Sequence, residues 1–140
     1  MKKRHGTALL AGIALTLAAT STLHAAERAH VGKWEFVSTV AGESTTRSYC
    51  IKPAQAQGIN GDAAADRAFL EKGAAARHCT IKDFKLAADT LSYTQVCAGY
   101  TFSDRTTYRG DTSEGELTTK MDGKPAVVTH MKGRRLGDCP

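Results

Sequence analysis

Four cysteines, Cys50, Cys79, Cys97 and Cys139, constrain this chain more than any other feature, and no two of them form a C-x-x-C pair. That spacing lacks the signature of a redox motif or of most zinc sites. Structural disulfides are the remaining use, if the chain reaches an oxidising compartment. The amino terminus reads as the means of getting there. Lys2, Lys3 and Arg4 make a positive start, residues 8–19 form an apolar run, and Leu23-His24-Ala25 suits cleavage after Ala25. A run of about a dozen residues is short of the roughly 20 that span a bilayer as a helix, so no stable membrane span is expected. No cysteine precedes Cys50, which closes the lipoprotein route. These features predict a signal peptide over residues 1–25 and one periplasmic domain over residues 26–140.

Cleavage there removes three of the 19 basic residues and none of the 14 acidic ones, leaving 16 against 14 and a net charge of +2 rather than +5. The basic character of the whole chain thus belongs partly to the leader. Charge alone gives no reason to expect nucleic acid as a partner.

Three disulfide pairings are possible, and the sequence favours one. Residues 80–86 and 90–96 read as strands joined by the turn Ala87-Ala88-Asp89, which sets Cys79 and Cys97 symmetrically about Ala88. Directly opposed residues of an antiparallel hairpin come close enough to bridge. Cys50 then pairs with Cys139. Each bridge stabilises the fold by about 3–5 kcal/mol on a chain-entropy estimate, the longer loop at the upper end.

Around the central hairpin, residues 31–40 and 44–51 read as two strands turning at Ala41-Gly42. Pro53 opens a short helix, Gly58 and Asn60-Gly61 break it, and Asp62 caps a second helix running to about Arg77. Residues 100–109, 114–121 and 126–132 return to strand, punctuated by Gly110-Asp111 and Asp122-Gly123. The expected fold is mainly β within the α+β class: a curled antiparallel sheet, or a small partly closed β-barrel, covered by one or two short helices and held by two disulfides.

The order Gly32-Lys33-Trp34, Tyr49-Cys50-Ile51, Cys79-Thr80-Ile81, Cys97-Ala98-Gly99, Tyr108-Arg109-Gly110 and the closing run from Gly133 through Arg134, Arg135, Leu136, Gly137 and Asp138 to Cys139 resembles the DUF3617 family of exported bacterial proteins. The resemblance covers nearly all of residues 26–140. It implies export and disulfides; the family has no established biochemical function, so it supplies no catalytic residues. The opening Gly-x-Trp with a late arginine is also similar to lipocalin-type barrels, in which that arginine packs over the tryptophan. A cation–π contact of Trp34 with Arg134 or Arg135 would follow. The plainer reading makes Trp34 the largest core residue and leaves the arginines solvated.

No catalytic residue, metal site or cofactor is expected. His30, His78 and His130 lie far apart, and no nucleophile elbow or phosphate-cradling loop is present. The acidic residues fall mostly at inferred turns. The favoured function is non-catalytic binding, by a monomer, of a small apolar ligand or an envelope protein, in a pocket lined by Trp34, Phe36, Phe69, Phe84, Tyr93 and Tyr100. Two alternatives stand beside it: an envelope hydrolase with a site around His78 or His130, and a protein–protein module using an exposed sheet edge.

Overall fold

Threonine, tyrosine, valine and phenylalanine favour a pleated, half-buried surface, and short turn dipeptides separate their runs. In the computed structural model, which describes residues 27–140, these runs become seven strands: β1 (Gly32–Val40), β2 (Glu43–Ile51), β3 (Thr80–Ala87), β4 (Thr90–Cys97), β5 (Tyr100–Arg109), β6 (Thr112–Met121) and β7 (Val127–Gly137). Helices α1 (Pro53–Asn60) and α2 (Ala63–Ala75) connect β2 to β3. The leader expected over residues 1–25 lies outside the described residues.

All strands join one antiparallel sheet in the order β2-β1-β7-β6-β5-β4-β3. The sheet is not a closed barrel. β2 and β3 are both edges, and the α1–α2 segment runs from one edge to the other instead of a final strand pairing.

Both disulfides form as expected, Cys79 with Cys97 and Cys50 with Cys139. The hairpin carrying the first differs in detail from its sequence reading. Ala87 pairs with Thr90, so the turn is the two residues Ala88-Asp89, and pairing at the open end still places Thr80 opposite Val96. A bulge between Lys82 and Lys85 absorbs the difference, with Asp83 at positive φ. The extra residue sends both Phe84 and Leu86 towards the helix-bearing face.

β7 runs five residues beyond its expected end at Lys132. Gly133 and Gly137 suggest a break there, yet β7 pairs with β1 on one side and β6 on the other, Trp34 lying opposite Arg135. Ladder hydrogen bonds, on both sides through Arg134 and to β1 alone beyond it, outweigh the poor strand preference of glycine. Asp62 caps α2 as its sequence position suggests, accepting a hydrogen bond from the Ala65 amide (2.8 Å).

Two small cores lie under the helices. Beneath α1, Ala29, Trp34, Ile51 and Ala56 are buried, with Phe36, Ile59 and Tyr108 packed against them. Beneath α2, Ala74, Cys79 and Ile81 are buried among Leu70, Phe84, Tyr93 and Cys97. Arg28 ties the first core to the helices: Nε donates to the Ile59 carbonyl (2.6 Å), and Nη2 to the Gly61 carbonyl (2.7 Å) and to the fully buried Asp66 (2.6 Å). Asn60 brackets Ala29 with two side-chain hydrogen bonds.

Candidate functional site

Strand periodicity puts alternate residues on one face, and the register determines what meets there. The helix-bearing face carries Tyr49 of β2, Phe36 of β1, Met131 and Gly133 of β7, Ser113 and Gly115 of β6, and Asp104, Thr106 and Tyr108 of β5. A cavity of about 210 Å³ opens among these side chains, bounded by Tyr49 at one end and Asp104 at the other. β2 and β5 are four strand spacings apart, about 19 Å in a flat sheet. Such a small cavity touches both only because the sheet curls, so the face is concave.

Two glycines shape its floor. A Cβ on Gly133 would collide with Ser113 Oγ and the Phe36 ring, and one on Gly115 with the Thr106 hydroxyl. Without them, Phe36 lies down on the sheet and stacks on Tyr49, ring centroids 4.7 Å apart and planes 6° from parallel, with Trp34 stacked beyond it at 5.8 Å.

Asp104 is the one carboxylate on the cavity wall. Thr106 Oγ1 donates to its Oδ1 (2.8 Å). Burial pushes its pKa up, and that hydroxyl alone opposes the shift. Among the described residues Asp104 has no salt-bridge partner within 4 Å, in contrast to Asp66, which has Arg28. Its charge reaches the neighbouring phenols. Tyr93, directly opposite it on β4, is pushed up to about 12 by burial and by Asp104, with Arg77 opposing. Tyr108 is raised by burial first, then by Asp104, Tyr93 and Tyr49.

Of the six aromatic residues expected to line one pocket, the structure brings only Phe36 to this cavity. Trp34 is fully buried in the core under α1 and donates its indole N–H to the His30 carbonyl (2.9 Å). Phe84 and Tyr93 pack in the core under α2. Phe69 sits on α2 with its ring against Gly58 of α1, and Tyr100 meets Phe102 edge-on at 5.0 Å. Arg135 directs its Nε to the Val31 carbonyl (2.8 Å) and its Nη2 to Asp138 (2.5 Å). No cation–π pair with Trp34 occurs among the described residues. Trp34 is therefore the core residue of the plainer reading, whereas Arg135 is tied down rather than solvated.

The histidines do not converge. His30 pairs with Asp111 (2.8 Å), His78 lies exposed between α2 and β3, and His130 faces Glu116 (3.6 Å) on the opposite side of the sheet. The shallow depression beside His130 is lined by Arg105, Glu114, Glu116 and Lys132, exposed side chains largely paired with one another. Among the described residues no group of three or more His, Cys, Asp or Glu could hold a metal ion, and no helix is long and apolar enough to cross a membrane.

Sequence reasoning missed Tyr49, Asp104, Tyr108 and Met131, along with the two glycines. Gly115 and Gly133 were the available signal, since glycine inside a strand marks close approach of another group. Comparison with known families decides the kinship: the model of DUF3617, a protein of unknown function, matches residues 29–139. The chain belongs to the DUF3617 family. In this DUF3617 domain the match takes in every strand, both helices and both disulfides. No curated protein and no solved structure matches the chain.

Proposed function

We propose that this domain is a non-catalytic binding module that works in an oxidising compartment outside the cytoplasm and takes a small ligand on the concave face of its sheet. The carrying observation is the aromatic cavity between Tyr49 and Asp104, which the two cores leave unfilled. The two disulfides and the export leader read over residues 1–25 support the compartment. At about 210 Å³ the space is below the roughly 300–1,000 Å³ of pockets that enclose a drug-sized molecule. It suits one end of a ligand, with the remainder lying along the open sheet.

Native mass spectrometry of the protein purified gently under non-reducing conditions tests this. A bound small molecule that leaves on denaturation is expected; a bare polypeptide, with no small molecule retained, counts against the reading. Gly133→Ala lifts Phe36 and Ser113 into the cavity and should lower that occupancy at least several-fold. The overpacking should also cost about 1–3 kcal/mol in a denaturant melt.

A second reading uses β2, an edge strand exposed from Glu43 to Tyr49 and rich in serine and threonine, to dock a partner protein by strand addition. The other edge is protected: β3 carries Lys82, Asp83 and Lys85 around a bulge.

A further inference from the structure

A carboxylate drawn out of water is normally paired or given up to a proton. Asp66 follows that rule through its Oδ2, which meets Arg28, although its Oδ1 is buried without a hydrogen-bond partner. Asp104 is half-buried and, among the described residues, receives only the Thr106 hydroxyl, and it borders a cavity whose other walls include the rings of Phe36, Tyr49 and Tyr108. A carboxylate facing aromatic rings is complementary to one kind of group. A π-face attracts a cation within about 6 Å of the ring centroid, and the carboxylate neutralises it. Phe36, stacked on Tyr49 and against Trp34, offers its edge as a wall, and Tyr49 and Tyr108 are the rings not stacked on both sides. An anion meets like charge there, and a purely apolar group leaves Asp104 desolvated and unpartnered. The cavity also accommodates the volume of a tetraalkylammonium head, and no lysine or arginine among the described residues lines it.

We propose that the cavity binds the ammonium headgroup of a small organic cation, with Asp104 as its counter-ion and the Phe36, Tyr49 and Tyr108 rings as its walls. This rests on the concave face being a ligand site and specifies the class of ligand. Asp104 is then a binding residue kept at a cost to the fold, since burial without a cation penalises the ionised form that the ligand requires.

The test compares three probes of one chain length, hexyltrimethylammonium, hexanol and hexanoate, by titration calorimetry on the oxidised protein at fixed ionic strength. Hexyltrimethylammonium is expected to bind about tenfold or more tighter than hexanol, with hexanoate weakest, a factor in line with one desolvated cation–π and ion-pair contact. Asp104→Asn should bring the ammonium probe down to the level of hexanol while leaving hexanol unchanged. In the unsubstituted protein, the ammonium advantage should fade as pH drops through the titration of Asp104. That measurement keeps the test intact should the variant fold poorly. Equal binding of ammonium and alcohol, or a preference that survives Asp104→Asn, overturns the inference and leaves the concave face a ligand site. Failure of all three probes overturns both.

Discussion

Two aspartates lie on the same side of the sheet, Asp66 fully buried and Asp104 half-buried, and their neighbours set their roles. Asp66 is fully buried; burial pushes its pKa up, while the Arg28 guanidinium pulls it down. Removing one member of a buried ion pair leaves the other uncompensated, so Arg28→Ala should destabilise the fold by about 3–5 kcal/mol in a urea titration. The same variant loses the bonds to the Ile59 and Gly61 carbonyls. Adding Asp66→Leu should recover part of the loss, namely the part due to the stranded carboxylate. Asp104 behaves oppositely. Among the described residues it has no cation to lose, so Asp104→Asn should raise the melting temperature at neutral pH, provided the amide keeps its bond from Thr106. Nothing in the sequence separates the two aspartates. Each stands among small and polar residues, and their different surroundings come from strands and loops far apart along the chain.

Among the elements, the β3–β4 hairpin was legible because its signals are local. The cysteines lie symmetrically about a turn, and even the bulge leaves their facing positions intact. The helix start at Asp62 was legible for the same reason. β7 was only half legible: its partner β1 is about a hundred residues distant, and glycines at 133 and 137 mimic a terminus. The cavity was illegible because it needs the curl of five strands, which no local pattern encodes. The disulfides staple different elements and should contribute unequally. Cys79–Cys97 closes a hairpin with a separation of 18, whereas Cys50–Cys139 fastens β2 to the end of β7 across a separation of 89. The chain-entropy model makes the second worth about 1.4 kcal/mol more. Denaturant melts of the Cys79→Ala/Cys97→Ala and Cys50→Ala/Cys139→Ala double variants should show that ordering, within losses of about 2–5 kcal/mol each.

At the scale of the whole molecule, stability should fall in two steps as pH rises, one in the carboxylate range and one in alkali, and for one reason. Asp66 and Asp104 hold their protons more tightly folded than unfolded. Below the ordinary carboxylate range both states are protonated and there is no penalty; stability is lost as pH rises through the interval up to their raised values. Tyr93 repeats this in alkali. Its phenol is pushed from 10.0 up to about 12, so stability is intact below pH 10 and declines as pH rises towards 12, by about 3 kcal/mol for a two-unit shift. Tyr93→Phe should flatten that decline in urea melts run from about pH 10 towards 12. The pairing of β1 with β7 has a further consequence, one of timing. β1 and β2 are made about a hundred residues before β7, so the inner side of β1 has no neighbour through the whole of that interval. Trp34 finds Ala29, Ile51 and Ala56 close by in sequence, but Phe36 waits for Gly133, so one aromatic ring of an otherwise paired hairpin stays uncovered while the intervening strands are made.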